Sequence, residues 1–250
     1  MKKRRRLAYL LLLGFSLAVG GWLGYQFGNV GAVAQTPTPP ESIPEPARAD
    51  QRSLLVLGVD RVDSSEARLQ GVWYAVYRQN SPRITLVPLF PALTEGDSTR
   101  AVELDEAFRL RSDGAVDPAF FKAVSENFGM SWDAYVLLDD IAIMEIVDFF
   151  GGVSVNGERV SGPRAVGGIP RAWEDPPVAV LGQAFLLESL CREITFDSIP
   201  KNYEKILSLI PEHLRSELTT QQAFSDWLGL LSSGSALACE FPSLRGTETP

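Results

Sequence analysis

The sequence has very few of the side chains that most often ligate metals or act as nucleophiles. It contains two cysteines and one histidine among 250 residues. One histidine excludes a two-histidine metal site, and two cysteines are too few for a metal cluster or a disulfide-dense scaffold. His213, the single histidine, falls beside Glu212 at the end of a predicted helix, where we expect a solvated side chain. No Ser-His-Asp or Cys-His arrangement is recognisable.

The two cysteines, Cys191 and Cys239, leave two alternatives open. In an oxidising compartment the pair forms a disulfide that ties the C-terminal tail to the folded domain. In the other alternative they remain free or partly buried thiols.

Positive charge is scarce outside the N-terminus. Residues 2–6 supply five of the 23 basic side chains, which leaves 18 basic against 31 acidic residues in the remainder. A surface this acidic repels phosphate backbones, so nucleic acid is not an expected partner. It also disfavours a pyrophosphate ligand unless arginines are concentrated locally.

Long uncharged runs are confined to one place, directly after the basic segment 1–6. The run of 21 apolar residues from 7 to 27 is long enough, at about 1.5 Å per residue, to cross a hydrocarbon layer of about 30 Å. We therefore predict a transmembrane helix over residues 7–28 in the cell membrane, single-pass, with a cytoplasmic N-terminus and an extracytoplasmic domain. A cleaved signal peptide is the alternative, because residues 32–34 (AVA) have the form of a cleavage site.

Three glycines share one face of this predicted helix. Gly20, Gly24 and Gly28 are spaced four residues apart, as in small-xxx-small faces that pack a second helix closely. The spacing is compatible with a homodimer through this face; the alternative is that glycine is simply common in membrane helices.

The rest of the chain divides into a linker, a domain and a tail. Residues 29–51 are rich in proline and predict a semi-rigid linker. Residues 52–231 predict the folded domain and residues 232–250 a polar tail. Strands alternate with helices along the domain, which predicts an α/β fold, layered α-β-α around a central mixed sheet and preceded by the transmembrane helix. The predicted strands are 53–59, 72–77, 84–88, 135–138 and 153–155, and the predicted helices are 117–128, 140–149, 203–214 and 220–231.

Several segments, taken in order, resemble the LytR-CpsA-Psr family. The most specific is IVDFFGGVSV at residues 146–155, which is similar to the family's V-D-x-x-G-G-V-x-V stretch. Roughly residues 53–160 are covered by the resemblance. The other matching segments are LVLGVD at 55–60, which is like the opening strand and its terminal Asp, Arg68 at the position of an Arg-x-Asp motif, VELDEAF at 102–108 and DAYV at 133–136.

The resemblance implies a phosphotransferase chemistry whose charged groups are largely missing here. Enzymes of the family move glycopolymers from polyprenyl-pyrophosphate carriers onto the bacterial cell wall. Arginines would grip the pyrophosphate, and acidic side chains would hold a divalent cation such as Mg²⁺. In this chain Gln70 replaces the second carboxylate of Arg-x-Asp, and residues 90–92 (FPA) replace Pro-Arg-Asp. The candidates that remain are Asp60, Arg68, Arg192 and Asp197 for ligand binding, with Asp60 also a weak metal ligand.

We therefore expect a catalytically depleted protein of the cell envelope that binds a polyprenyl-phosphate lipid, a glycopolymer or a partner. No cofactor is expected, and Mg²⁺ only if activity remains. One alternative is an active glycopolymer phosphotransferase with a rearranged site that draws on Arg109, Arg111, Arg164 or Arg171. A second alternative is a structural envelope protein that dimerises through the glycine face. Aromatic residues at 120, 121, 128, 149 and 150 are expected in the core, with a lipid-chain pocket as the alternative.

Overall fold

The computed structural model describes residues 50–92, 98–155, 157–195, 208–232, 234–242 and residue 244. Within these ranges the chain forms eight strands and six helices. The strands are β1 (Gln51–Val59), β2 (Leu69–Arg78), β3 (Arg83–Phe90), β4 (Ala134–Asp139), β5 (Val153–Val155), β6 (Glu158–Val160), β7 (Leu214–Ser216) and β8 (Ala238–Glu240). The helices are α1 (Ser98–Ala107), α2 (Pro118–Phe128), α3 (Asp140–Phe149), α4 (Gly162–Gly167), α5 (Pro176–Glu193) and α6 (Thr220–Leu231).

Six of the strands form one mixed sheet in the order β7-β4-β1-β2-β3-β8. The central strand β1 runs parallel to β4 and antiparallel to β2. Strands β1, β3 and β4 therefore end, and β2 and β7 begin, at the same side of the sheet. We refer to this side as the carboxyl edge.

The sheet is covered by apolar side chains on both faces. Leu55, Leu57 and Val59 of β1 are fully buried in one cluster, with side chains from α1 and α2. Leu54 and Val56 point to the other face and pack against a second cluster that includes residues of α5 and α6. Alternation of side chains along a strand produces this division, because successive side chains point to opposite faces. The α/β prediction with a central mixed sheet is confirmed.

Most predicted elements are present in the structure. The pattern Asp117-Pro118 begins α2 as expected, since the Asp117 carboxylate accepts a hydrogen bond from the Ala119 N–H and Gly129 ends the helix with a φ of 62°. The predicted helix 203–214 is wrong in its described part. Residues 208–213 form turns and β7 follows, because Pro211 cannot continue a helical hydrogen-bond pattern.

The folded domain continues beyond residue 231, where the sequence predicted a polar tail. Strand β8 pairs with the beginning of β3, with Cys239 opposite Ile84. Cys239 is also bonded to Cys191 near the end of α5, across a Cα–Cα distance of 6.0 Å. The disulfide alternative is therefore the correct one of the two.

Several predictions concern residues outside the described ranges. These are the basic segment 1–6, the transmembrane helix 7–28, the glycine face and nearly all of the linker 29–51. Among the residues that the structure does describe, no helix combines the length and apolarity needed to span a membrane.

Replacing both cysteines by alanine should destabilise the domain. The disulfide closes a loop with a sequence separation of 48 residues, and constraining the unfolded chain in this way contributes about 2–4 kcal/mol. Urea unfolding of the full chain measures the loss. A reductant should lower the stability of the wild type and leave the double variant unchanged; equal stability of the two oxidised proteins would contradict the prediction.

A buried carboxylate joins α6 to the sheet. Asp226 accepts hydrogen bonds from the Tyr77 hydroxyl at 2.6 Å and from the Gln79 side-chain amide at 2.8 Å. Burial and the neighbouring Asp226 carboxylate raise the pKa of Tyr77, so its phenol stays protonated and remains a donor.

Substituting Asp226→Ala should therefore lower the free energy of unfolding by about 1–3 kcal/mol, because it leaves a buried hydroxyl without an acceptor. Ser225, the exposed neighbour on the same helix, provides the control, because Ser225→Ala removes no hydrogen bond to a buried group. Thermal unfolding followed by circular dichroism distinguishes the two variants. Similar melting temperatures for both would show that the hydrogen-bonded carboxylate contributes little.

Candidate functional site

Two of the predicted site residues meet at the carboxyl edge. Asp60 follows β1, and Arg68 precedes β2. The Asp60 N–H donates to the Arg68 carbonyl at 3.1 Å, and the Arg68 N–H donates to Asp60 Oδ1 at 2.8 Å. The Asp60 carboxylate thus stabilises the connection between the two strands. One of its oxygens already accepts a hydrogen bond and is therefore less available to a cation.

The Arg68 guanidinium lies over the ring of Trp173, 4.3 Å from its centroid. Trp173 is 43% exposed, so the pair is at the surface. The attraction between a guanidinium and an aromatic face holds Arg68 in place without a carboxylate partner. Its outward face and its N–H donors remain suited to an anion.

Gln70 is the residue that stands in place of a carboxylate, and it is only 8% exposed. Its Oε1 accepts a hydrogen bond from the Ala172 N–H at 3.4 Å, and its backbone oxygen accepts one from Gln183 Nε2 at 2.7 Å. Its amide nitrogen has no partner among the described residues. The neutral side chain therefore connects β2 to the loop before α5 without bringing a charge into the protein.

The loop before α5 also supplies a second arginine. Arg171 donates a hydrogen bond to Asp140 Oδ2, and the two form an ion pair. Burial raises the pKa of Asp140, Arg171 opposes this effect, and the charges of Asp139 and Asp60 add to it. The Arg171 charge is therefore already balanced by a carboxylate of the protein, and the neighbouring field is acidic.

A third pair lies at the neighbouring strand end. His213 Nδ1 is 2.9 Å from Asp139 Oδ2, and the Asp139 N–H donates to the His213 carbonyl at 3.1 Å. The same carboxylate caps α3, since Asp139 Oδ1 accepts a hydrogen bond from the Ala142 N–H at 2.9 Å. The expectation of a solvated helix histidine is wrong, because His213 precedes β7 and is paired.

Arg192 does not join these residues. It pairs with Glu188 on the exposed side of α5. Its neighbour Cys191 is bonded to Cys239, which lies beside the start of β3 and therefore at the side of the sheet opposite the carboxyl edge. Asp197 lies outside the described residues.

The arginines of the alternative prediction are divided among different places. Arg171 is at the carboxyl edge, whereas Arg111 pairs with Asp113 and Arg164 lies 3.9 Å from Glu158 beside the small β5-β6 sheet. Arg109 donates to the carbonyl oxygens of Phe108 and Asp105. Burial raises the pKa of Asp105, and the charges of Arg68 and Arg109 oppose that rise. Among the described residues, Arg171 is thus paired with a carboxylate, whereas Arg109 bonds only to backbone carbonyl oxygens.

A resident divalent cation does not fit this arrangement. Within the described ranges no group of three or more His, Cys, Asp or Glu side chains is placed to hold a metal ion. The carboxylate expected beside Asp60 is the amide of Gln70, and one oxygen of Asp60 already accepts a backbone hydrogen bond. Hard cations prefer several oxygen ligands, of which carboxylates are the strongest.

The aromatic residues pack against one another as core. Phe120 contacts Phe108 and Phe121 edge to face, with ring centroids 5.3 and 5.8 Å apart. Phe150 stacks on Trp227 at the opposite face of the sheet. A depression of about 350 Å³ lies elsewhere, on the small β5-β6 sheet beside Arg164.

Comparison with known proteins identifies the fold. No protein-family model matches the sequence, and no curated protein does. Among solved structures, TagT bound to LIIa-WTA superposes with a TM-score of 0.57 at 15% identity, covering 84% of this chain and 85% of that one. B. subtilis TagV gives 0.54 at 11% identity over 78% and 93% of the two chains. The transcriptional regulator yvhJ from Bacillus subtilis gives 0.54 at 12% identity over 78% and 82%.

TagT and TagV are enzymes of the LytR-CpsA-Psr family. The chain therefore has the fold of that family, as the order of its sequence segments predicted. The shared feature is the backbone architecture, while the side chains at the carboxyl edge are those described above.

Substituting Gln70→Glu should destabilise the domain. It places a negative charge at a side chain that is only 8% exposed, and an uncompensated buried charge costs about 3 kcal/mol or more. The matched control is Gln221→Glu, the same change at an exposed position of α6, which should alter stability by about 0.5 kcal/mol or less. Urea unfolding at neutral pH compares them. A Gln70→Glu protein as stable as the wild type would contradict the structural role of the amide.

Proposed function

We propose that this chain is a protein of the cell envelope that binds a phosphate-bearing polyprenyl lipid or glycopolymer at its carboxyl edge and does not transfer it. The observation that carries the proposal is the charge balance of that edge. Among the described residues Arg68 forms no ion pair, although its charge acts on Asp105, and Arg171 is paired with Asp140. A guanidinium that forms no ion pair suits a single phosphate group.

Transfer from a pyrophosphate makes larger demands on the site. Charge develops on the departing phosphate, and preorganised donors or a cation must stabilise it. Loss of one such donor commonly lowers the rate by about 10²–10³. With Gln70 and residues 90–92 in place of charged groups, several of these contributions are missing, and their combined loss removes useful turnover even when the effects are not additive.

The envelope location rests on the N-terminal sequence and on the fold. The predicted helix 7–28 would anchor the domain to the outer face of the cell membrane, with the proline-rich linker 29–51 as spacer. The shared fold with TagT bound to LIIa-WTA supports a ligand from the envelope. A dimer through Gly20, Gly24 and Gly28 remains compatible with this role.

A second function is favoured by one observation. Arg171 is one of the arginines that a rearranged phosphotransferase site would use, and the structure places it at the edge. In such an enzyme Arg171 would have to exchange Asp140 for the ligand. Both functions predict phosphate binding, and only the second predicts turnover.

The decisive experiment incubates the full chain, purified in detergent, with a polyprenyl-pyrophosphate-linked sugar and Mg²⁺. We expect the lipid-linked sugar to bind and no polyprenyl phosphate to be released. Arg68→Ala should weaken binding roughly tenfold or more, because a hydrogen-bonded charged group contributes about 1.5–3 kcal/mol. Arg192→Ala, at the other side of the sheet, is the matched control and should leave the affinity unchanged.

Release of polyprenyl phosphate that Arg68→Ala and Arg171→Ala both abolish would establish the transferase and overturn the proposal. Equal affinities of the wild type and Arg68→Ala would also count against it, since the phosphate would then lie elsewhere.

A further inference from the structure

The geometry around Asp139 determines which nitrogen of His213 carries a proton. The Asp139 side chain is only 5% exposed, and its two oxygens face the Ala142 N–H and His213 Nδ1 at 2.9 Å each. A buried carboxylate in this position is an acceptor at both oxygens. His213 must therefore donate from Nδ1, which leaves the lone pair of a neutral imidazole on Nε2.

The imidazole is also fixed in position. The Asp139 N–H donates a hydrogen bond to the His213 carbonyl, and Leu138 pairs with Leu214 in the sheet. The ring is 30% exposed, and no described residue forms a hydrogen bond with Nε2. A partly exposed acceptor that has no partner among the described residues is suited to a ligand that brings a donor.

The charged groups around His213 determine which kind of hydrogen-bond donor a ligand could bring to Nε2. Asp139 contacts the imidazole ring. Asp140 is the next residue in the chain and pairs with Arg171, and the charge of Asp60 acts on Asp140. A phosphate placed at Nε2 would be repelled by Asp139 and Asp140. A sugar hydroxyl is neutral, donates to an acceptor such as Nε2 and accepts from a guanidinium such as Arg171.

The spacing between strands gives the distance from the end of β4 to Arg68. Strand β4 ends beside β1, and β1 is bonded to β2. Neighbouring strands are about 4.8 Å apart, so the end of β4 lies about 10 Å from the start of β2, where Arg68 stands. His213 precedes β7, which lies on the far side of β4, so a sugar phosphate that contacts both His213 and Arg68 would extend along this edge past the ends of β4 and β1.

We propose that Asp139, His213 and the Asp140–Arg171 pair form a hydroxyl-binding subsite for the sugar of a sugar phosphate, whose phosphate lies on Arg68. His213 Nε2 accepts a hydrogen bond from a hydroxyl of the sugar, and Asp139 acts as a positioning residue through Nδ1. This subsite rests on the proposed function, since it assumes a phosphate at Arg68, and it assigns the sugar to the β4 side of the edge.

The first test uses the single histidine of the chain. In full-length protein labelled with ¹⁵N-histidine, at mildly alkaline pH, nuclear magnetic resonance should show the Nδ1–H form with an unprotonated Nε2. In Asp139→Asn the new oxygen still caps α3, because asparagine is as good a cap as aspartate. The new NH₂ group then faces Nδ1, so the proton should move to Nε2. An Nε2–H form in the wild type would overturn the assignment.

The second test compares glucose 1-phosphate with inorganic phosphate as probes. Glucose 1-phosphate should shift the Nε2 resonance, whereas inorganic phosphate should bind without shifting it. Asp139→Asn should weaken the sugar phosphate roughly threefold to tenfold, the loss expected for one hydrogen bond, and leave inorganic phosphate unchanged. Arg68→Ala should weaken both probes.

The remaining outcomes separate this subsite from the proposed function. Phosphate binding that depends on Arg68, together with an unshifted Nε2 resonance in the glucose 1-phosphate complex, overturns the sugar subsite and leaves the proposed function standing. Equal weakening of both probes by Asp139→Asn also overturns it, because His213 would then act on the phosphate. Absence of binding for both probes overturns the two proposals together.

Discussion

The pairing of β1 on both of its sides is the constraint on which the rest of the structure depends. β1 bonds to β2 over its full length and to β4 from Leu54 to Val59, and its side chains enter both apolar clusters. A strand buried on both faces fixes the register of its neighbours, because a shift by one residue would exchange the two faces. The ends of β1, β2 and β4 are thereby held side by side, and every residue of the candidate site follows from that alignment.

At the carboxyl edge, several acidic side chains have structural roles. Asp60 closes the connection to β2, Asp139 caps α3 while holding His213, and Asp140 balances Arg171. A carboxylate that accepts backbone or side-chain hydrogen bonds is stabilised in place, but it has fewer oxygen positions for a cation. The edge is therefore acidic, and this is the basis for proposing a neutral sugar and a single phosphate as its ligand rather than a pyrophosphate.

Elements that depend on local interactions could be predicted from the sequence, whereas contacts between residues far apart in the chain could not. β1, β2 and α2 were predicted because apolar runs, β-branched residues and the Asp117-Pro118 cap are local signals. α5 was missed because apolar residues occur on several of its sides, although Asp175-Pro176 repeats the cap pattern of α2. The acidic stretch of α1 concealed the buried Ala101 and Leu104. Asp139 and His213 are 74 positions apart, so only the sheet order reveals their contact.

The persistence of the fold without its expected charges has a physical reason. The free energy of folding comes mainly from the two apolar clusters, and arginines and carboxylates at a solvent-facing edge contribute little to them. A charge inside the edge is different, because a carboxylate at the position of Gln70 would need a cation to offset its burial. The amide satisfies the Ala172 N–H without that requirement. One neutral side chain thus stands in place of a charged cation ligand without requiring a cation, so the scaffold folds without a charge at this position.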